Sequence, residues 1–132
     1  MKKFFFPYKR VQSDIFGKVL IPAAKIFLRG QEEIGIDVVV DSGAVISIFP
    51  RSLSDLLNLV FDDGKTASVK SATGEEIHIR IHRVGMRIGD FSFHPRVAFS
   101  TTENIPYVLG RLDVFGKVEI RFEQNGTSFL IE

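Results

Sequence analysis

The sequence predicts a mainly β domain with one or two short helices. Isoleucines alternate with polar residues from Ile77 to Ile81, which is the period of a half-buried strand. Asn125-Gly126 stands between two apolar runs, and this dipeptide is a strong signal for a β-hairpin. The clearest helical spacing of apolar residues follows Pro50 and is short.

The first hairpin is predicted from two apolar runs. Residues 19–28 and 33–40 are rich in β-branched side chains, and the polar residues 29–31 between them suit a turn. Along the second run, alternation places the isoleucines and valines at even-numbered positions on one face. Asp37 and Asp41 then lie on the opposite face.

The rest of the chain continues this pattern. Residues 47–49 are a short strand, and Pro50 is suited to the first turn of a helix that ends at residues 62–64. The apolar face of that helix is predicted to consist of Leu53, Leu56, Leu57 and Val60. Pro95 predicts an edge or a bulge in the strand that contains it. Further strands are predicted at residues 66–72, 75–84, 91–99, 105–109, 118–122 and 127–131, with a second short helix at residues 111–115.

Composition places the chain among compact globular domains. It has 132 residues, 45% of them hydrophobic, with no internal repeat, which corresponds to about one domain. It contains no cysteine, which excludes disulfides and a thiol nucleophile and suits a reducing compartment, so we expect the cytoplasm. The formal charge is +1 and the basic residues are scattered, so no nucleic-acid partner is expected.

The first residues resemble a secretion signal only briefly. Lys2-Lys3 is followed by three phenylalanines, but the apolar stretch stops at Pro7, short of the seven residues or more that a signal core needs. We therefore expect residues 1–18 to be an N-terminal segment that packs on the body or at an interface, and residues 19–132 to be the domain proper. The longest apolar stretch elsewhere is about half of a membrane span, so no span is expected.

Two short motifs carry the functional prediction. Residues 38–44 form an apolar strand that delivers Asp41 into a Ser-Gly turn, and about seventy residues later two hydrophobes precede Gly110. The tripeptide alone is a common turn. Both motifs together, in this order and at this separation, resemble the retropepsin-like (retroviral-type) aspartic proteases, as a non-viral member. The resemblance covers roughly residues 24–131.

The resemblance implies an acid-protease half-barrel with one lobe per chain and an endopeptidase activity. Such enzymes hydrolyse a peptide or protein substrate with water activated by two carboxylates that share a proton, and they use no cofactor or metal. Only one such motif is present, so the two carboxylates must come from a homodimer in which Asp41 meets its own copy. Gly43 would allow a close backbone approach, and the Ser42 hydroxyl would link the two loops.

The same resemblance predicts roles for further residues. Ala44 completes the active-site loop and lacks the hydroxyl that pepsin-like enzymes place there, so we expect a pH profile centred at about 4.5 to 6.5. The loop is expected to be supported by Val108, Leu109, Gly110 and Arg111. The mobile flap over the substrate is expected at Ser71, Ala72, Thr73, Gly74 and Glu75. The pockets are expected to be lined by Val39, Val45, Ile46, Ile77 and Val108.

Several alternatives stay open. Val45 replaces the acid that often pairs with the arginine after the glycine, so Arg111 needs Asp113 or a carboxylate of the other subunit. On pattern alone an ordinary surface hairpin is favoured for the flap segment, and the order of the family's motifs favours the flap. His78 and His82 share a strand face, but their rings would project about 13 Å apart, so solvated positions are favoured over a metal site. A catalytically silent dimer that binds peptides or protein partners is the alternative function.

Overall fold

The computed structural model describes residues 1–71 and 73–132. These residues form a mostly β protein, which confirms the predicted class. The strands are β1 (Lys2–Pro7), β2 (Lys9–Ser13), β3 (Gly17–Ile21), β4 (Ala23–Arg29), β5 (Glu33–Val40), β6 (Ser47–Pro50), β7 (Lys65–Lys70), β8 (Glu76–Arg83), β9 (Gly85–Ile88), β10 (Phe91–Phe93), β11 (Arg96–Ser100), β12 (Val108–Leu109), β13 (Glu119–Phe122) and β14 (Gly126–Ile131). The short helix α1 is Arg51–Leu56, and a 3-10 turn follows at Phe61–Asp63.

Nine strands form the main sheet, in the order β10-β9-β4-β5-β12-β6-β11-β8-β7. Its outer strands, β10 and β7, do not pair with each other, and no sheet in residues 1–71 and 73–132 closes on itself. The lobe is therefore an open sheet, and the barrel suggested by the family resemblance does not form within this chain. Strands β1, β14 and β13 form a second sheet, and β2 and β3 form a third.

The centre of the main sheet joins segments that are distant in sequence. Strand β12 inserts between β5 and β6: it is parallel to β5, with Leu109 opposite Val40, and antiparallel to β6, with Val108 opposite Ile48. Strand β11 continues the sheet parallel to β6. The two motifs that the sequence singled out thus lie side by side, because one strand carries each of them.

The core has two parts. The larger part is a cluster of aliphatic and aromatic side chains that includes the completely buried Ile26, Leu28, Phe49, Phe99 and Phe129. The smaller part gathers Ile46, Ile79 and Ala98, against which Ile48, Val69 and Ile77 pack. Because its members come from β6, β7, β8 and β11, this smaller cluster fixes the β7–β8 hairpin over the segment that follows Asp41.

The first predicted hairpin is confirmed at its turn and corrected at its start. Strands β4 and β5 pair antiparallel, and Ile36, Val38 and Val40 are buried as the alternation predicted. The strand predicted at residues 19–28 is instead two strands, separated at Pro22. Proline lacks a backbone donor for the ladder, so β3 leaves the sheet there and pairs with β2.

The predicted helix forms but is shorter than its apolar spacing suggested. It ends at Leu56, and Asn58 adopts a positive φ of 57° that a right-handed helix cannot contain. Leu53 and Leu57 are buried, whereas Leu56 and Val60 are 63% and 62% exposed. The face predicted through Val60 is therefore wrong, because the helical period stops before that residue.

Two further predictions are corrected. Residues 91–99 form two strands, β10 and β11, because His94 and Pro95 belong to neither strand and β11 pairs with β6 and β8 inside the sheet. The helix predicted at residues 111–115 is a series of hydrogen-bonded turns. Asp113 has a φ of 62°, which interrupts any helix in this segment.

The last hairpin forms between β13 and β14 as predicted, but its turn is centred on Gln124-Asn125, because Glu123 donates its N–H to the Gly126 carbonyl at 2.8 Å and Gly126 begins β14. Close packing, and not the turn geometry, requires glycine at position 126, since a side chain there would lie 2.4 Å from the Phe6 carbonyl oxygen. Strand β1 pairs along β14, and its Phe4 and Phe6 pack against the main core. The boundary at residue 18 remains a prediction.

Candidate active site

Asp41 lies in a loop held between the two central strands. It directly follows β5, and its backbone N–H is donated to the Leu109 carbonyl at 3.0 Å. The Asp41 carbonyl accepts the N–H of Ala44 at 3.2 Å, which closes the turn. The carboxylate itself accepts the N–H of Gly43 at 2.8 Å through Oδ1 and remains exposed. The loop therefore presents one oriented carboxylate to solvent.

Two glycines allow the close contacts around this loop. A side chain at Gly43 would lie 3.2 Å from the Asp41 carboxylate, and one at Gly110 would lie 2.4 Å from the Ile46 carbonyl carbon. The N–H of Gly110 is donated to Ser47 Oγ at 2.9 Å, in a contact that is fully buried. Gly110 thus packs against the backbone at the start of β6 and binds it through a buried hydroxyl.

The loop is also tied to the turns that follow β12. Arg111 donates its backbone N–H to the Ala44 carbonyl at 2.9 Å, and its guanidinium Nη1 lies 3.4 Å from the Ser42 carbonyl. The guanidinium also lies 5.4 Å from the centre of the Phe115 ring. These contacts fix the backbone of the loop to the segment after β12.

The sequence left open whether Asp113 pairs with Arg111, and the structure shows that it does not. Its carboxylate binds Arg96 through two oxygens, at 2.8 and 3.0 Å, and accepts the Arg96 backbone N–H at 3.0 Å. These hydrogen bonds hold the pKa of Asp113 well below its usual range. Within residues 1–71 and 73–132, no carboxylate forms an ion pair with Arg111.

A cleft of about 560 Å³ opens above Asp41. One wall is the active loop and the start of β6, and the opposite wall is the β7–β8 hairpin. The apolar part of the lining comes from Ala44, Val45, Ile46, Ile48, Val69, Ile77 and Val108. Asp41 is the acidic residue among the described lining residues, and Lys70 is the basic one. The cleft is thus a mostly apolar groove with a single carboxylate at its base.

The tip of the hairpin is ordered by its own polar groups. Ser71 donates its N–H to the Glu75 carbonyl at 2.8 Å, and its hydroxyl lies 2.9 Å from that of Thr73. Gly74 has a φ of 87°, which favours glycine, and no atom lies within 4 Å of where its side chain would begin. Ala72, the remaining residue of the expected flap, lies outside the described residues. Ser71 and the ends of both strands face the cleft.

The structure adds residues that the sequence did not single out. Ser47, whose only sequence signal is a polar residue in an apolar run, accepts the Gly110 N–H. Val69 and Lys70 line the cleft from β7. Val39 was expected in the pockets but lines a separate hollow beside Tyr107. Val39 shares its strand face with Asp37, which lines the same hollow.

The histidines lie apart from the cleft. His82 was expected to be solvated, but its Nε2 lies 3.1 Å from the Phe61 carbonyl and its ring packs edge-on against Phe99 at 5.5 Å. No group of three or more metal-ligating side chains is found in the described part of the chain. The same residues contain no helix that is long and apolar enough to cross a bilayer.

The sequence matches no protein-family model and no curated protein. Its fold does match solved structures. One is a retropepsin-like aspartic protease from Rickettsia conorii, with a TM-score of 0.63 and 11% identity over 97% of this chain and 90% of that chain. Another is the EIAV protease complexed with the inhibitor HBY-793, with a TM-score of 0.58 and 15% identity over 80% of this chain and 92% of that chain. The chain has a retropepsin-like fold, as the sequence resemblance implied.

Proposed function

We propose that this protein is an aspartic endopeptidase that is active as a homodimer. The observation that carries the proposal is a single exposed carboxylate, Asp41, at the base of an apolar cleft in a retropepsin-like fold. One carboxylate can accept a proton from water, but hydrolysis without a covalent intermediate also needs a group that donates a proton to the carbonyl oxygen. A second chain supplies that group.

The dyad would form on a two-fold axis through the two Asp41 loops. Two carboxylates about 3 Å apart cannot both ionise, so they share one proton. The ionised member takes a proton from the attacking water while the protonated member donates to the scissile carbonyl. The tetrahedral intermediate then collapses as a proton passes to the leaving amine, and the dyad returns to its singly protonated state.

The neighbouring residues have positioning roles in this proposal. Gly43 keeps the space beside the carboxylate free and donates its N–H to it. Ser42 carries the hydroxyl that would reach the partner loop. Val108, Leu109 and Gly110 hold the loop from below through the Asp41 N–H and Ser47 contacts. These groups set the direction in which the Asp41 carboxylate points, which is what proximity catalysis requires.

The substrate is a peptide in an extended conformation. The β7–β8 hairpin faces Asp41 across the cleft, and a peptide between them would pair its backbone with the hairpin and place alternate side chains in opposite pockets. Val45, Ile46 and Ile77 make those pockets apolar. We therefore expect large apolar residues on both sides of the scissile bond, with residues 71–75 closing over the peptide as a flap.

The direct test compares two carboxylates of the same strand face. Asp41→Asn should abolish cleavage of a mixed peptide library while leaving the urea midpoint unchanged. Asp37→Asn, four residues earlier and also exposed, should keep full activity. Full cleavage by Asp41→Asn would exclude the proposal. Peptide binding without cleavage by the wild-type protein, at all pH values tested, would instead favour the catalytically silent dimer.

A further inference from the structure

One hairpin stands apart from the rest of the fold. Strands β2 and β3 pair with each other, and among the described residues neither joins another sheet. The tip exposes Ile15 and Phe16, which are 83% and 77% accessible. Both residues donate their backbone N–H groups to Ser13 Oγ, so the tip is a defined turn. Two adjacent large apolar side chains at the end of a detached hairpin indicate a surface that an assembly covers.

A hollow beside the Asp41 loop is also uncovered. Val45, Leu112 and Phe115 line a depression of about 490 Å³, and Val45 is 74% exposed. Leu112 donates its N–H to the Val45 carbonyl at 2.8 Å, which anchors the hollow to the active loop. Arg111 lies at its edge, without a carboxylate partner in the part of the chain that the structure describes.

Both features adjoin the active loop. The Pro22 carbonyl, directly after β3, accepts the N–H of Val40 at 3.1 Å, so the base of the hairpin lies just before Asp41. The hollow lies just after the loop. In a dimer whose two-fold axis passes through the Asp41 loops, both features therefore lie close to the axis and to the second chain. Five strand residues extend about 16 Å, so the tip of the hairpin can contact residues at a distance from its base.

The charge at the hairpin tip is complementary to the charge at the hollow, while the basic Lys9, Arg10 and Lys18 lie on the strands of the hairpin. Asp14, next to Ile15 at the hairpin tip, is exposed and has no ion-pair partner within residues 1–71 and 73–132. Arg111 needs a carboxylate, and Asp113 is already bound to Arg96. An aspartate beside two apolar side chains fits an arginine beside an apolar hollow.

We propose that the β2–β3 hairpin of each chain is an arm that docks on a second copy of this chain. Ile15 and Phe16 cover the hollow at Val45 and Phe115, and Asp14 pairs with Arg111. The contact occurs twice in the dimer because the interface is symmetric. This inference rests on the proposed function, since it uses the two-fold axis at Asp41, and it identifies which surfaces hold the two half-sites together.

The first test measures dimerisation of the full chain by sedimentation velocity, independently of catalysis. The double variant Ile15→Ser/Phe16→Ser should raise the dimer Kd about 100-fold, because it removes four buried apolar side chains per dimer. The matched control is Leu56→Ser/Val60→Ser, which removes two exposed apolar side chains from outside the arm and the hollow. The control should leave the dimer Kd unchanged.

The second test exchanges charges between chains. Asp14→Arg alone and Arg111→Asp alone should each raise the dimer Kd about tenfold or more, because both contacts then join like charges. An equal mixture of the two variants should recover the wild-type Kd, since each contact in the mixed dimer again joins a carboxylate to a guanidinium. A variant that is merely misfolded cannot be rescued in this way.

The possible outcomes separate this inference from the proposed function. A wild-type protein that dimerises and cleaves, with a Kd unaffected by the arm variants, refutes the arm and leaves the protease. Dimerisation that depends on the arm, without cleavage, refutes the protease and supports the arm. A chain that stays monomeric at all concentrations refutes the arm. Binding of the tip to anionic vesicles with no effect on the dimer Kd also refutes it, since Lys9, Arg10 and Lys18 would then act at a membrane surface.

Discussion

The buried hydroxyl of Ser47 provides a sharp test of how the active loop is supported. Its Oγ accepts the Gly110 N–H at 2.9 Å, and Ser47 is completely buried. Ser47→Ala keeps the Cβ but leaves a buried donor without an acceptor, which costs about 1–3 kcal/mol. We expect the free energy of unfolding to fall by about 2 kcal/mol, which corresponds to a shift of the urea midpoint by about 1 M.

The matched control is Ser54→Ala. Ser54 is equally buried, and its hydroxyl donates to the Arg51 carbonyl at 2.6 Å, within α1 and away from the cleft. Removing the Ser54 hydroxyl takes one donor from the Arg51 carbonyl, which lies within a helix. We therefore expect the free energy of unfolding to fall by about 1 kcal/mol, the usual net contribution of one hydrogen bond. Its effect on turnover should be negligible.

Turnover distinguishes the two serines more clearly than stability does. Gly110 follows Leu109, whose carbonyl accepts the Asp41 N–H at 3.0 Å, so a shift of Gly110 is passed to the carboxylate. A displacement of about 1 Å in a reacting group can cost about 100-fold in rate. Ser47→Ala should therefore lower kcat at least about tenfold at saturating dimer concentration. Equal urea midpoints and equal kcat for the two variants would refute the proposed support of the loop.

Three further variants test other parts of the site. Gly110→Ala should lower the free energy of unfolding by about 3 kcal/mol, because its methyl group would lie 2.4 Å from the Ile46 backbone; an unchanged urea midpoint would show that β6 moves aside. Gly74→Val should lower kcat strongly and the free energy of unfolding only slightly, because a φ of 87° strains a β-branched residue and this strain is confined to the flap tip. Normal cleavage by this variant would refute the assignment of residues 71–75 as the flap. Arg96 holds the pKa of Asp113 below its ordinary value of 3.8. The ion pair therefore stabilises the fold at pH values above 3.8, and this stabilisation is lost as the pH falls below 3.8 and the carboxylate becomes protonated. Asp113→Asn, which tolerates the same positive φ, should lose less stability between about pH 5 and pH 2.5 than the wild type, and an equal acid slope in urea titrations would contradict this.

Local patterns predicted most of the individual elements. The alternation in β8, the Asn-Gly turn and the valines before Asp41 depend on neighbours in sequence, so their structural consequences follow from two-residue periodicity and turn chemistry. The errors occurred where a single residue interrupts a pattern. Pro22 separates β3 from β4, and the positive φ of Asp113 prevents a helix, although its sequence surroundings suit one.

The sequence predicted part of the site because each of its two motifs is a short local segment. The contacts that hold the active loop in place join residues that are distant in sequence. Nothing in the sequence near Ser47 indicates that its hydroxyl meets Gly110, since 63 residues separate them and only the insertion of β12 brings them together. The same reason explains Asp113: its partner Arg96 lies on β11 and becomes adjacent only in the folded sheet. The exposure of Ile15 and Phe16 also depends on β2 and β3 leaving the main sheet.

The central claim is that each chain supplies one half of a shared dyad, and a mixing experiment tests it most directly. Wild-type protein and Asp41→Asn protein are combined in equal amounts, at a total concentration well above the dimer Kd, and cleavage is compared with that of the wild type alone. If chains pair at random, only about one quarter of the dimers carry both aspartates. We predict about one quarter of the wild-type activity, falling with the square of the wild-type fraction. Activity that falls in direct proportion to that fraction, with about half remaining in the equal mixture, would contradict the shared dyad.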